Sequence, residues 1–250
     1  MDLIASHITH RFGDLAMLDD VSFTVSAGEV VAIVGPSGCG KSTLLSILGG
    51  LLEPTSGAPE LRGAPPADSI NPLTFVFQDF ALLPWATVEE NVEFPLLHAQ
   101  PNATQRRALV EDALRRTGLT DFRTTYPKQL SGGMRQRVGI SRALAVKPAI
   151  LLIDEPLSAL DSQTRELLME DFVRLLADGG MGAVYVTHNL EEAARLADRI
   201  VVLSRRPGRI REVVAVPMTR AARGEAAARE KLLALQNQIW SLIRNEAIDA

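Results

Sequence analysis

The sequence predicts an α/β fold built on a mainly parallel sheet, with an antiparallel β layer beside it. Three observations carry this. Short, continuously apolar runs recur along the chain: EVVAIV at Glu29–Val34, LTFVFQ at Leu73–Gln78, AILLID at Ala149–Asp154, AVYVTH at Ala183–His188 and RIVVLS at Arg199–Ser204. Runs of this length suit central strands buried on both faces. Helical patterns separate them, and strands alternating with helices imply parallel pairing. The N-terminal pieces DLIASHITHRF and VSFTV alternate instead, with no helix between them, and so read as antiparallel.

The remaining elements follow in order. KSTLLSILGGL, after the glycine-rich GPSGCG, reads as a helix, and PELRGAPPADSINP at Pro59–Pro72 reads as a Pro-rich loop. Between Trp85 and Val146 no strong strand is visible. The stretch is helical and charged, which predicts a helical subdomain inserted at approximately 85–146 in a single domain spanning 1–250. The end, EAAAREKLLALQNQIWSLIRNEA, spaces Leu232, Leu235, Ile239 and Leu242 for one helix face, within a helical tail of approximately 217–250.

Composition bounds the function. With 250 residues, 46% of them hydrophobic, a large core is feasible. The net charge of −4 lacks the basic surplus of a nucleic-acid binder. Cys39 is the sole cysteine, so no internal disulfide forms, which fits a reducing compartment. The first residues lack the charged start and apolar run of a signal peptide. No apolar stretch reaches the roughly 18 residues of a membrane span, so at a membrane something else must hold the chain.

Two segments carry phosphate chemistry. In GPSGCGKST, Gly35, Gly40, Lys41 and Ser42 satisfy G-x-x-x-x-G-K-[ST] between a strand and a helix. Its backbone N–H groups, from Gly35, Pro36, Ser37, Gly38, Cys39 and Gly40 to Thr43 (Pro36 lacking one), can turn around phosphate oxygens at a helix start. Lys41 is expected to reach the β/γ-phosphates, and Ser42 to hold Mg²⁺. Cys39 reads as a small filler, with a helix-start thiol of lowered pKa as the alternative. The second segment, LSGGMRQRVGISRAL at Leu130–Leu144, also opens a helix with a hydroxyl and two glycines. Its Arg135, Arg137 and Arg142 read as solvated or packed against acidic neighbours. ILLIDEP places Asp154 and Glu155 at the end of a buried strand, where ligands of parallel sheets sit. Two carboxylates there can split roles, Asp154 towards Mg²⁺ and Glu155 towards an attacking water. His7, His10 and His98 show no ligand spacing.

In this order the motifs resemble those of the ATP-binding-cassette ATPases over nearly the whole chain. GPSGCGKST is similar to Walker A, VFQD supplies Gln78 of the Q-loop, and LSGGMRQR matches the signature, with Met134 where glutamine is commoner. ILLIDEP is similar to Walker B, SALD at Ser158–Asp161 to the D-loop, VTH to the switch ending on His188, and Phe12 to the adenine-stacking aromatic. The resemblance implies a P-loop NTPase (RecA-like) core, an antiparallel β layer and an inserted α-helical signature subdomain. It implies ATP and Mg²⁺ as cofactors, with Ser42, Gln78 and Asp154 near the metal. Gln78, Lys41, Glu155 and His188 take catalytic roles. It further implies a head-to-tail homodimer, in which Ser131, Gly132, Gly133 and Asp161 serve the nucleotide held by the partner. One chain then needs two phosphate-reading segments because each serves a different ATP.

Among such ATPases, tandem cassettes or long coiled coils mark proteins acting on DNA or ribosomes, and exporters commonly carry their own spans. Neither feature is present in this sequence. FALLPWATVEENVEFPL and LADRIVVLSRRPGRI resemble bacterial ATPases serving nitrate, sulfonate or taurine importers, with lipid trafficking or a soluble non-transport ATPase as the alternatives. The expected partners are membrane permease subunits and, indirectly, a solute-binding protein, but no nucleic acid. The expected place is the cytoplasmic face of the inner membrane, held peripherally. Phe80–Val92 groups Phe80, Leu82, Leu83 and Trp85 beside Pro84. It is expected to form the floor of a dock for a permease helix, or alternatively to pack the helical subdomain onto the core.

Overall fold

The computed structural model describes the chain apart from residues 100–101, 159, 179, 225 and 249–250. Six strands form the central sheet in the order β5 (Leu73–Val76), β6 (Ile150–Asp154), β7 (Gly182–Val186), β3 (Val30–Val34), β8 (Arg199–Leu203) and β9 (Ile210–Ala215). All pairs are parallel except β8 with β9. Each parallel strand coincides with an apolar run of the sequence, β7 starting one residue earlier at Gly182. β3 and β7 are buried at every position, as two-sided burial requires.

Pleating distributes one strand between two cores. Val30, Ala32 and Val34 of β3 join the cluster beneath α5 (Ser162–Asp178), α6 (Leu190–Leu196) and α7 (Arg229–Ile248). Val31 and Ile33 face the opposite cluster, which includes α1 (Lys41–Leu48) and the N-terminal strands. On α7, Leu232, Leu235 and Ile239 are buried and Leu242 packs partly against the same cluster, as their spacing requires.

The second sheet has the order β2 (Leu15–Val25), β1 (Asp2–Phe12), β4 (Ser56–Arg62), antiparallel throughout. Two expectations are corrected here. The strand at VSFTV begins earlier, at Leu15. The Pro-rich segment is not all loop, because Ser56–Arg62 pairs along β1 with Pro59 opposite Ala5. β4 is an edge strand, where a residue without an N–H costs no ladder bond if that side faces solvent. β9 was not expected at all.

Between β5 and β6 lie α2 (Val88–Ala99), α3 (Ala103–Arg116) and α4 (Gly132–Ala145), with short 3₁₀ turns at Thr120–Phe122 and Pro127–Gln129. They close a cluster of their own around Val92, Leu96, Leu114 and Val138.

Candidate functional site

The glycine-rich loop leaves β3 at Val34 and enters α1 at Lys41. Gly40 caps the helix at φ 104°, a left-handed conformation that favours glycine. A Cβ there would also lie 2.7 Å from Leu18 Cδ2 on β2, so the loop is wedged against the second sheet. The Lys41 ammonium is buried and donates to the carbonyls of Gly35 (3.0 Å) and Pro36 (3.2 Å). It therefore lies folded along the loop whose amides it shares. Ser37 and Gly38 are exposed at the loop crest, while Pro36 and Thr43 are partly buried. Cys39 is fully buried and burial pushes its thiol up, overcoming the lowering by Lys41, so the filler reading holds and the lowered pKa does not.

Ser42 lies across from the acidic strand end and donates to Asp154 Oδ1 at 3.1 Å. Burial raises Asp154, the Ser42 bond opposes that, Glu155 adds to the rise and Lys41 lowers it. Ser42 and Asp154 offer hard oxygen donors on one spot. No group of three or more His, Cys, Asp or Glu among the described residues could hold a metal. That donor set fits Mg²⁺, which is bound through one or two carboxylates plus substrate phosphates, rather than a metal needing a full protein cage.

Glu155 follows at φ 39°, a strained value for a non-glycine residue, held by its N–H bond to the Val186 carbonyl at 2.9 Å. Its Oε2 lies 2.9 Å from His188 Nδ1. Gln78, two residues beyond β5, donates to Ser158 Oγ at 3.3 Å, and Ser158 in turn donates to the Glu155 carbonyl at 2.9 Å. The Q-loop and the acidic strand end are thus tied by one hydroxyl. All these groups lie beyond the carboxyl ends of β5, β6, β7 and β3, where parallel sheets bind ligands.

The other expected residues lie elsewhere. Ser131 caps α4, its Oγ accepting from the Met134 N–H at 3.2 Å, with Gly132 and Gly133 as the first helical residues. Asp161 caps α5, accepting from the N–H groups of Gln163 and Thr164, and the Thr164 bonds hold its carboxyl below the usual range. Phe12 ends β1 with its ring half exposed and edge-on to His10 at 4.6 Å. His7 pairs with Asp20 on the surface. The His98 side chain lies outside the described residues.

The contacts of two residues escaped sequence reasoning. Glu192, buried on α6, accepts from Tyr185 (3.0 Å) and Thr187 (2.7 Å) and so supports the strand end that carries His188. Its only signal was an acid in the first turn of THNLEEA. Arg142 has Asp79 as an acidic neighbour, but its hydrogen bonds go elsewhere. It donates to the carbonyls of Phe80 (2.6 Å) and Ala81 (2.7 Å). Arg137 does pair with Asp171, while Arg135 donates to the Leu130 carbonyl.

A strand–loop–helix cradle with an acidic strand end beside it defines a P-loop nucleoside-triphosphate-binding protein. The chain belongs to the ABC transporter family, whose pattern matches residues 18–158. It is 47% identical over 200 residues to the taurine import ATP-binding protein TauB of Burkholderia pseudomallei, covering 80% of this chain and 77% of that protein. It is 38% identical over 240 residues to the bicarbonate transport ATP-binding protein CmpD of Synechocystis sp., covering 95% and 83%. The fold is that of the dimeric ATP-binding cassette MJ0796 in a post-hydrolysis state bound to ADP and Pi. The TM-score to it is 0.73 at 34% identity, over 87% of this chain and all of that one. The protein is accordingly an ATPase. Among the described residues no helix is long and apolar enough to cross a membrane.

Proposed function

We propose that this chain is the ATP-hydrolysing subunit of a membrane importer for a small solute such as nitrate, sulfonate, taurine or bicarbonate. It works as a head-to-tail homodimer on the cytoplasmic face of the inner membrane. Permease subunits hold it there, and a solute-binding protein supplies them. The observation that carries the chemistry is the convergence of Lys41, Ser42, Asp154, Glu155 and His188 beyond one edge of the sheet. Relatives named for import of taurine and bicarbonate, and solved relatives that are dimeric, support the setting.

In this reading the amides of Gly35–Thr43 and the Lys41 ammonium bind the phosphates, and Phe12 stacks on the base. Ser42, Asp154 and Gln78 would hold Mg²⁺, which would supply positive charge against the charge developing on the phosphates. Glu155 accepts a proton from the water whose oxygen attacks the γ-phosphorus, and the bond to ADP breaks. His188 holds the Glu155 carboxylate in place, while Ser131, Gly132, Gly133 and Asp161 serve the partner's nucleotide.

The test is Glu155→Gln. The amide keeps the shape and a hydrogen bond to His188 but takes no proton. ATP binding should persist, turnover should fall about 10²–10⁴-fold, and size-exclusion chromatography with ATP should show dimer accumulating. Wild-type turnover would overturn the assignment of Glu155.

A further inference from the structure

The turn that follows Gln78 is held in an unfavourable shape. Phe80 and Ala81 both have positive φ, 61° and 42°, which bulky side chains disfavour. What holds them is α4. The Arg142 guanidinium donates one hydrogen bond to each of their carbonyls, spanning 62 and 61 residues of sequence. One turn earlier on the same helix, Gly139 lets the backbone approach, since a Cβ there would lie 3.2 Å from Phe80 Cβ. Arg142 is partly buried in making this contact. Burial pulls its guanidinium down, and Asp79 beside it pulls the other way. On the far side, buried Asn91 of α2 bonds both the N–H and the carbonyl of Leu83, and the carbonyls of Ala86 and Thr87. The segment running from Gln78 to exposed Trp85 is therefore gripped from two helices.

We propose that Arg142 is a positioning residue that locks the turn after Gln78 to α4, so that turn and helix shift as one body during the ATPase cycle. A planar fork suits this role, because two adjacent carbonyls need two donors set at a fixed angle. The displacement would reach Ser131 along about 17 Å of rigid helix, eleven residues at about 1.5 Å each. Gln78 touches the chain's own acidic strand end through Ser158, and Ser131 heads the other end of the lever. The inference rests on the reading that Ser131 serves the nucleotide of the opposing subunit.

The experiment uses the full chain carrying Trp240→Phe, which leaves Trp85 as the sole tryptophan. Into it go Arg142→Met, Arg142→Lys and Gly139→Ala, with Ser131→Arg as the control. Four quantities are read: ATP affinity at protein concentrations too dilute for dimer, kcat at concentrations that support dimer, Trp85 emission without nucleotide, and the melting temperature. For Arg142→Met, affinity should stay within about threefold while kcat falls about tenfold, the scale of coupling mutations, and Trp85 emission should shift. Arg142→Lys, able to satisfy one carbonyl, should recover part of kcat. Gly139→Ala should change kcat and emission in the same direction without removing a charge. Wild-type kcat and emission in Arg142→Met would overturn the proposal, as would affinity and kcat falling together with the melting temperature. If Arg142→Met does not fold, wild-type behaviour of Gly139→Ala overturns it instead. An inactive Ser131→Arg beside a fully active Arg142→Met refutes the lock alone, whereas a fully active Ser131→Arg refutes the underlying reading.

Discussion

Glu192 shows how a single side chain sets the frame for one proposed to act in catalysis. It sits buried on α6 just after the Asn189 cap and takes both its bonds through Oε2, from Tyr185 and Thr187. Burial raises its pKa above the ordinary 4.5, against the lowering by the Thr187 and Tyr185 bonds. The Tyr185 phenol is raised too, by burial first and then by the Glu192 charge, so it stays the donor. A raised acid binds more protons folded than unfolded, so stability falls as pH climbs from 4.5 towards the raised value. Glu192→Gln keeps an acceptor oxygen for both hydroxyls and removes the charge. Denaturant unfolding should show the variant equal to wild type below that window and relatively more stable above it. Glu192→Ala strands two buried hydroxyls and should cost about 1–3 kcal/mol at every pH. Equal slopes of stability against pH for wild type and Glu192→Gln would show that Glu192 does not titrate in this way.

At the scale of elements, the segment from Phe80 to Thr87 joins the sheet to the helical cluster and carries its most exposed aromatic, Trp85, 74% accessible. Phe80, Leu82 and Leu83 are half-buried. The backbone after Trp85 runs beside the 122–126 turn, where Val88 and Glu89 donate to the carbonyls of Thr125 and Arg123. Phe122 and Tyr126 are themselves exposed there. Trp85 thus contributes little to the core and is open to a dock, whereas Leu82 packs against the helical cluster as the alternative reading has it. Trp85→Ala should leave melting temperature and ATP affinity nearly unchanged while weakening co-purification with permease by about 2 kcal/mol or more. A large drop in melting temperature with assembly intact would return Trp85 to the core. The same scale shows what could be read in advance. The parallel strands were legible because two-sided burial keeps their interiors largely apolar, with charge confined to the ends at Asp154 and Arg199. β4 was not, because SGAPELR has only Pro59 even partly buried and owes its pairing to the free edge of β1. The phosphate loop and acidic strand end were legible because phosphate chemistry dictates their local spacing. Arg142 and Glu192 were not, since carbonyls some sixty residues away define the one and a buried pair of hydroxyls the other.

For the whole molecule, the decisive fact is that the two segments proposed to read phosphate do not share hydrogen-bond partners in one chain. Lys41, Ser42, Asp154 and Glu155 cluster at the sheet edge, whereas Ser131 spends its hydroxyl capping α4. A chain with its readers so divided should depend on a second copy, so specific activity should rise with protein concentration. Mixing variants tests the trans arrangement directly. Lys41→Ala removes the ammonium from one chain's own loop, and Ser131→Arg puts bulk and charge where the partner's phosphate would rest. Each homodimer has two defective sites and should be inactive. In the mixed dimer, both defects fall on the same site if Ser131 acts in trans, leaving the other site intact. If Ser131 acted in cis, each chain would carry one defect in its own site and no intact site would form. Activity returning on mixing, and growing with the fraction of mixed dimer, is therefore the outcome expected of the trans arrangement. A Ser131→Arg homodimer hydrolysing ATP at the wild-type rate would remove α4 from the site altogether.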